Sequence, residues 1–199
     1  MKIDIQDVLF WMDAIRNSDD RYRTLESFWK GQVNSKIWLS ENLSGFVPVT
    51  PLNIVIYGGW NGVLASILFN TNLNISSITS VDIDATCEEV ANTVNKRQEM
   101  LGKFKSVTAD MVDYKTTADI VINTSCEHIT QQQYNTWLSN QPDDAVIVLQ
   151  SNNYFDLEEH IRCAEDLDAF TNMSKIKPYF RNTLELPKYN RFMLIGKKK

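Results

Sequence analysis

The feature that most constrains the fold is an alternation of apolar strand-like runs and helix-like segments after residue 50. The run 52–57 is almost continuously apolar and ends in Gly58 and Gly59. A run of this kind is typical of a strand buried on both faces of a parallel sheet. Helix-like segments separate it from similar runs further along the chain, and this order predicts successive βαβ units.

The alternation predicts five strands, then a change of character near the C-terminus. The expected strands cover 52–57, 75–81, 104–107, 118–122 and 145–149, and the expected helices cover 62–70, 85–100, 131–138 and 157–170. Two further strand-like runs, 175–186 and 191–196, are separated by a short connection that begins with Pro187. A connection this short predicts an antiparallel hairpin.

Residues 1–47 are interpreted as an N-terminal helical cap, and residues 48–199 as the main domain. Helices are expected at 5–17, 20–30 and 35–43, with Ser18 or Asp19 capping the second, and Pro48 and Pro51 mark the boundary. The cap either packs over one sheet edge or forms a lid over a substrate. Three tryptophans suit both roles, and packing is favoured: Trp11, Trp29 and Trp38.

Composition excludes some classes of protein. The formal net charge of −5 argues against a duplex-binding protein. No apolar run reaches the ~18 residues that span a bilayer, and acids stand where a secretion signal would be basic, so a cytoplasmic location is expected. The three cysteines Cys87, Cys126 and Cys163 have neither disulfide nor zinc spacing, and no metal site is predicted.

The exit of the first expected strand is the predicted ligand site, because open α/β sheets bind ligands beyond the carboxyl ends of their strands. It reads Tyr57, Gly58, Gly59, Trp60, Asn61 and Gly62. Glycines permit a tight turn and close approach of a ligand. The following helix would direct its first N–H groups at the same space.

Two acids follow the next two strands. Asp82 stands 20 residues beyond Gly62 and can accept hydrogen bonds from both ribose hydroxyls, whereas Asp84 is expected to cap the following helix. After the third strand, the Asp110 carboxylate can accept a hydrogen bond from the exocyclic amine of adenine. The backbone N–H of Met111 can donate a further hydrogen bond to the ligand. Asp110 can equally bond its own backbone.

In this order the three segments resemble the class I S-adenosylmethionine-dependent methyltransferase family, over roughly residues 50–199. The resemblance implies a Rossmann-like, mostly parallel seven-stranded sheet with a terminal antiparallel hairpin and helices on both faces. It also implies that 58–62 face the methionine part of S-adenosyl-L-methionine and that Ile83 packs on the adenine ring. Two positions depart from the family: an acid is replaced by Ile56, and the central glycine by Trp60, whose ring can face the sulfonium.

The loop after the fourth strand is where a methyl acceptor is expected. Asn123 can hold the acceptor or the cofactor, His128 can act as a general base, and Glu127 can orient that imidazole. Helix capping is the alternative for His128, and an exposed helical position for Glu127. Cys126 is not expected to be a nucleophile, and His160 is expected to be structural.

The predicted activity is methyl transfer to an unidentified acceptor, with a small molecule favoured over a protein or nucleic acid and no membrane partner expected. Three alternatives stay open: a cofactor-binding module without catalysis, another S-adenosylmethionine-using transferase or lyase, and a nicotinamide-dependent dehydrogenase. The residue pattern 150–155 either lines the acceptor pocket or forms a self-satisfied turn. No feature of the sequence specifies the oligomeric state.

Overall fold

The computed structural model describes residues 3–199, and within this range seven strands form a single sheet. The strands are β1 (Leu52–Tyr57), β2 (Ile75–Asp82), β3 (Phe104–Thr108), β4 (Ile120–Asn123), β5 (Val146–Asn152), β6 (Ile176–Glu185) and β7 (Asn190–Lys198). Their order across the sheet is β3-β2-β1-β4-β5-β7-β6. The first five pair in parallel, and β7 pairs antiparallel with both β5 and β6. The Rossmann-like fold and the terminal hairpin expected from the sequence are confirmed.

Helices cover both faces of this sheet. They are α1 (Ile5–Asn17), α2 (Arg21–Glu26), α3 (Lys30–Leu43), α4 (Val63–Phe69), α5 (Thr86–Val94), α6 (Lys96–Met100), α7 (Gln131–Ser139) and α8 (Leu167–Ser174). A 3-10 turn, Cys126–His128, follows β4. Within residues 3–199, no helix combines the length and the apolar character needed to cross a membrane.

The central strand β1 divides the core into two layers. Ile54 and Ile56 pack on one face of the sheet, together with α3 and α4, whereas Val55 and Tyr57 pack on the other face with Trp137 of α7. This alternation follows from the two-residue period of a strand. Because both faces are covered, the run is apolar from 54 to 57, as is typical of a buried parallel strand.

The N-terminal helices are fixed to the sheet domain by polar contacts as well as by packing. The buried Asp7 carboxylate of α1 accepts bonds from Arg97, at 2.9 and 2.8 Å, and from Asn70 at 2.8 Å. Arg23 of α2 donates to Asp84 at 2.6 Å, close to the exit of β2. The Trp11 indole donates to Ser66 of α4 at 3.0 Å. These contacts give α1 and α2 a packing role.

The expected helix at 157–170 is wrong: helical structure begins only at Leu167, after the N-cap Asp166. The preceding segment uses its backbone donors in contacts with distant elements. Arg162 N–H donates to the Glu127 carbonyl at 3.0 Å, and Ala164 N–H donates to the Asn152 carbonyl at 3.1 Å. These long-range bonds replace the local i→i−4 ladder that the helical pattern predicted.

Other boundaries differ from the sequence expectation for local reasons. The second helix is capped by Asp20, which accepts the Arg23 N–H at 2.9 Å, rather than by Ser18 or Asp19, and it ends at 26. The third helix begins earlier, at 30. The expected helix 85–100 breaks at Asn95, whose side-chain amide bonds the Ala91 and Gly62 carbonyls. Strand β5 extends to 152, so the polar residues 150–152 are buried strand positions.

We predict that two glycine-to-alanine substitutions will lower the free energy of unfolding by different amounts. Gly62 has φ +71°, and an added Cβ would lie 2.6 Å from Asn95 and 3.0 Å from Ala91, whereas Gly102 has φ +69° with nothing within 4 Å. Gly102→Ala should lower the free energy of unfolding by about 1 kcal/mol from backbone strain alone. Gly62→Ala should lower it by about 1–3 kcal/mol more, because of overpacking.

Urea unfolding followed by circular dichroism measures both values. Gly102→Ala is the control for the left-handed conformation. Equal losses for the two variants would show that packing against α5 does not require the glycine.

Candidate functional site

The exits of four strands, β1 to β4, meet at the carboxyl edge of the sheet and are joined by hydrogen bonds. The Gly59 N–H donates to the Val81 carbonyl at 3.1 Å, which ties the exit of β1 to that of β2. The Ala109 N–H donates to the Asp82 carbonyl at 2.9 Å, which ties in the exit of β3. On the other side, the Ser125 hydroxyl lies 3.3 Å from the Gly58 carbonyl. The segments predicted to hold the cofactor are therefore brought together.

The glycines of the turn are required by the protein itself. A Cβ at Gly58 would lie 2.3 Å from the Ser125 hydroxyl, and one at Gly59 would lie 1.9 Å from the Ser80 hydroxyl. Gly58 also has φ +63°. The space next to these Cα atoms, in which the sequence expectation placed a ligand, is occupied by the side chains of Ser125, after β4, and Ser80, in β2. The glycines therefore allow β2 and the loop after β4 to lie close to the β1 exit.

Trp60 occupies the position of the family's central glycine and keeps the backbone conformation that glycine favours. Its φ is +48°, which for a residue with a side chain costs about 1–2 kcal/mol. Its N–H donates to the Asp82 carboxylate at 2.8 Å. This charge-assisted bond offsets part of the strain and fixes the turn against β2.

The Asp82 carboxylate stands at the centre of the edge. Besides the bond from Trp60, its second oxygen accepts the Asp84 N–H at 3.1 Å. A carboxylate offers about four acceptor positions, so each oxygen retains one for a ligand. Next to it, the Ile83 side chain is 71% exposed. Asp84 accepts a bond from the Thr86 N–H, the first of α5, at 2.9 Å, but Ala85 and not Asp84 stands at the N-cap position.

The segment after β3 folds over the same edge. The Asp110 carboxylate accepts the Val112 N–H at 2.8 Å, which is the local turn that the sequence left as an alternative. The Met111 sulfur lies 3.5 Å from the Asn123 amide nitrogen at the end of β4. Asn123 is fully buried, and its side-chain oxygen accepts the Ser125 N–H at 3.0 Å. Asn123 thus holds the loop after β4 in place.

Tyr57 takes a different position from the one its predicted cofactor contact requires. Its ring is fully buried and packs edge-on against Tyr114 and Trp137, while its hydroxyl donates to the Tyr114 carbonyl at 2.8 Å. Burial raises the pKa of this phenol to about 12. Only the backbone of Tyr57 remains for a ligand.

Glu127 lies in a buried ion pair rather than on an exposed helix. Its Oε1 accepts bonds from Arg191 Nη1 at 2.6 Å and from the Asn152 amide at 2.7 Å, and its exposed fraction is 2%. Its Oε2 is buried and has no hydrogen-bond partner among residues 3–199. Arg191 also donates to the Thr124 carbonyl, so strand β7 holds the loop after β4.

The two histidines of the chain lie side by side. The His128 and His160 rings meet edge to face, with centroids 4.8 Å apart. His160 Nδ1 lies 2.7 Å from the Tyr154 carbonyl, which can only accept, so Nδ1 carries the proton. Desolvation lowers the pKa of the His128 imidazole, and the positive charge of Arg191 acts in the same direction. His128 is exposed and does not cap a helix.

The three cysteine thiols and the Lys36 amine differ in burial and, through burial, in pKa. Burial raises the pKa of the Cys126 thiol to about 12, which removes it as a nucleophile. Cys87 is buried as expected, whereas Cys163 is only half-buried. Lys36 of α3 lies nearby: burial and the charge of Arg191 lower its pKa to about 7. Its amine donates to Gln32 at 2.8 Å.

Sequence reasoning did not identify Arg191. It considered Asn152 only as part of the segment 150–155, without its bond to Glu127, and it gave His160 only a structural role. Arg191 begins an apolar run and carried no local sign of function. The available signal was the charge itself, because an arginine inside an apolar strand needs an acidic partner. The erroneous helix at 157–170 concealed the position of His160.

Comparisons with solved structures identify the fold. The chain is similar to the magnesium protoporphyrin IX methyltransferase from Synechocystis PCC 6803 with bound SAH, with a TM-score of 0.68, 13% identity and coverage of 98% of this chain and 95% of that chain. It is similar to the ribosomal protein L11 methylase from Lactobacillus delbrueckii subsp. bulgaricus, with a TM-score of 0.56, 15% identity and coverage of 84% and 80%.

A third similar structure is MtNAS in complex with MTA and tNA, with a TM-score of 0.62, 16% identity and coverage of 97% of this chain and 70% of that chain. No protein-family model and no curated protein matches the sequence. The chain has the class I methyltransferase fold that the sequence resemblance implied.

We predict that removing one partner of the buried Glu127–Arg191 ion pair lowers the free energy of unfolding more than removing both partners does. Arg191→Met leaves the Glu127 carboxylate buried without its partner and should lower the free energy of unfolding by about 3–5 kcal/mol. The double variant Glu127→Leu with Arg191→Met removes both charges and should recover at least about 2 kcal/mol of that loss. Urea denaturation of the single and double variants measures the difference.

The control is Arg181→Met, in β6 of the same hairpin as Arg191. This change removes an exposed ion pair with Asp168 of α8. That change should cost at most about 1 kcal/mol. A double variant no more stable than Arg191→Met would contradict the assignment of the pair as the source of the loss.

Proposed function

We propose that the protein binds S-adenosyl-L-methionine at the joined exits of β1, β2 and β3 and transfers its methyl group to a small-molecule acceptor. The observation that carries the proposal is the position of the Asp82 carboxylate, bonded to Trp60 and still able to accept from a ligand. The structural neighbours support this cofactor, because two forms of the protoporphyrin methyltransferase were crystallised with SAM and with SAH.

Each predicted cofactor residue has a role in this proposal. Asp82 accepts the two ribose hydroxyls, and the exposed Ile83 side chain covers one face of the adenine ring. Asp110 and Met111 lie beside the adenine, and Gly58 and Gly59 shape the turn. Trp60, Gly62 and the backbone of Tyr57 are further proposed contacts, whereas the fully buried Asn123 acts by holding the loop after β4.

The bound cofactor supplies an electrophilic methyl group on a sulfonium, and the transfer breaks that S–CH3 bond as a bond to the acceptor forms. The chain contributes alignment of the acceptor with this bond, which can provide most of the acceleration. His128 is the proposed base for an acceptor that must lose a proton, since its imidazole is exposed and its pKa is lowered. The buried Glu127 is a positioning residue for the histidine loop.

The acceptor is proposed to lie on the β4–β5 side, next to an aromatic wall. Tyr154 and Tyr189 stack with centroids 5.7 Å apart. The Trp29 side chain is 65% exposed, and both it and the Tyr189 hydroxyl lie within 4 Å of the Cβ position of Gly31. An aromatic surface of this kind suits a planar or partly apolar small molecule.

A second candidate function is transfer of a different group from the same cofactor. The specific observation is the similarity to MtNAS, which was crystallised with MTA and tNA rather than with SAH. Analysis of the adenosyl product separates the two reactions: S-adenosylhomocysteine indicates methyl transfer, and a methylthio-adenosine product indicates the alternative.

We predict that Asp82→Asn weakens binding of S-adenosylhomocysteine by roughly 10- to 100-fold, because a hydrogen bond to a charged group is worth about 1.5–3 kcal/mol. Isothermal titration calorimetry measures the change. The matched control is Asp119→Asn, since Asp119 accepts the Asn53 N–H at 2.7 Å at the opposite end of the sheet. Equal affinities for the wild type and Asp82→Asn would contradict the proposed ribose contact.

We predict that Trp60→Ala weakens S-adenosylmethionine more than S-adenosylhomocysteine. An aromatic face attracts the sulfonium cation by about 0.5–2 kcal/mol, which corresponds to roughly 2- to 30-fold in affinity, and the neutral thioether lacks this term. Trp60→Phe should keep the preference. A uniform loss for both ligands would place the indole away from the sulfur.

Titration with NAD⁺ distinguishes the dehydrogenase alternative, and binding of NAD⁺ alone would overturn the proposal. Failure to bind either adenosyl ligand at millimolar concentration would indicate that the protein has the methyltransferase fold but not the methyltransferase activity. The cap at 1–47, the main domain at 48–199 and the cytoplasmic location stay predictions of the sequence.

A further inference from the structure

Three metal-binding side chains converge at the loop after β4, although the sequence predicts no metal site. One ligand atom from each of Glu127, His128 and His160 lies within 4.8 Å of the other two. The chain contains two histidines, and both are in this cluster. Glu127 and His128 come from the 3-10 turn, whereas His160 comes from the irregular segment before α8.

The two carboxylate oxygens of Glu127 differ in their hydrogen bonds. Its Oε1 is held by Arg191 and Asn152, and its Oε2 is buried without a hydrogen-bond partner among residues 3–199. A buried carboxylate oxygen left unpaired in this way is costly. Metal-binding carboxylates are commonly held by hydrogen bonds to one oxygen while the other meets the ion.

His160 has the orientation of a metal ligand. Because Nδ1 donates to the Tyr154 carbonyl at 2.7 Å, the lone pair of the neutral ring is on Nε2. Fixing a ring through a backbone carbonyl is the usual outer-shell arrangement for a metal-bound histidine. The half-buried His160 is thereby preorganised, while the exposed His128 can adjust its rotamer.

We propose that Glu127, His128 and His160 form a binding site for a divalent first-row transition metal cation at the carboxyl edge of β4 and β5. Two imidazole nitrogens and one carboxylate oxygen suit Zn²⁺, Mn²⁺, Fe²⁺ or Co²⁺, whereas Ca²⁺ and Mg²⁺ prefer oxygen ligands alone. Three protein ligands leave coordination positions open, as in catalytic rather than structural sites.

The present distances require a small adjustment on binding. Metal–ligand bonds of about 2.0–2.2 Å place tetrahedral ligand atoms roughly 3.4 Å apart, so atoms as far apart as 4.8 Å must approach by about 1.4 Å. Rotation of the exposed His128 ring provides that movement. The neighbouring Arg191 charge opposes a cation, and we therefore expect micromolar rather than nanomolar affinity.

The site goes beyond the proposed function, and the two roles of His128 exclude each other, because a metal-bound neutral imidazole has no lone pair left to take a proton. The site is tested without any cofactor. Metal-stripped protein purified without a polyhistidine tag is titrated with Zn²⁺ by calorimetry and with Co²⁺ by visible absorption. We expect one ion per chain and Co²⁺ bands typical of nitrogen and oxygen ligands. Because the chain has no other histidines, an imidazole signature in X-ray absorption reports this cluster alone.

Substitutions assign the ligands. His128→Ala and His160→Ala should each weaken Zn²⁺ binding at least 10-fold, and Glu127→Gln should act similarly, with circular dichroism and urea unfolding confirming that each variant is folded. The control is Glu159→Gln, which removes an exposed acid next to His160 and should leave binding unchanged. Zn²⁺ should raise the melting temperature of the wild type and the control but not of the histidine variants.

Three results would overturn the proposal: no binding of Zn²⁺, Co²⁺ or Mn²⁺ below millimolar concentration, affinity unaffected by both histidine substitutions, or a thiolate charge-transfer band. That band would assign the ion to Cys163, whose sulfur lies 3.4 Å from the Tyr154 carbonyl. Calorimetry with S-adenosylhomocysteine on the same metal-free protein tests the proposed function separately.

Discussion

The hydrogen bond from the Trp60 N–H to the Asp82 carboxylate is the contact on which the arrangement of the site depends. It joins the exits of the neighbouring strands β1 and β2, and it holds a residue with a side chain in a left-handed conformation. The Ser80 and Ser125 side chains then fit against Gly59 and Gly58. One carboxylate therefore organises the turn and still offers acceptor positions at the edge of the sheet.

Most of the fold could be predicted because burial leaves a local pattern in the sequence. A strand stretch covered on both faces is typically apolar, as 54–57 of β1, 120–122 of β4 and 146–149 of β5 are. The prediction failed at 157–170, where the amphipathic pattern is helical but the backbone donors of Arg162 and Ala164 bond distant carbonyls. Tertiary contacts of this kind override local propensity and cannot be derived from one segment.

The two halves of the candidate site also differ in how far the sequence could predict them. The proposed cofactor residues follow strand ends directly, so their positions come from topology and short spacing. The β4–β5 half is assembled from residues far apart in sequence: Glu127 pairs with Arg191 from β7, and His128 meets His160 from an irregular segment. No periodicity connects such residues, which is why Arg191, the bond from Asn152 to Glu127 and the grouping of the histidines were not predicted.

The central claim is that the exits of β1, β2 and β3 form one adenosyl site. The most direct measurement is a crystal structure of the protein grown with S-adenosylhomocysteine. This account predicts electron density at that edge, with both ribose hydroxyls within hydrogen-bond distance of the Asp82 carboxylate and the Ile83 side chain against the adenine. Density at another position, or an unoccupied edge at saturating ligand, would contradict it.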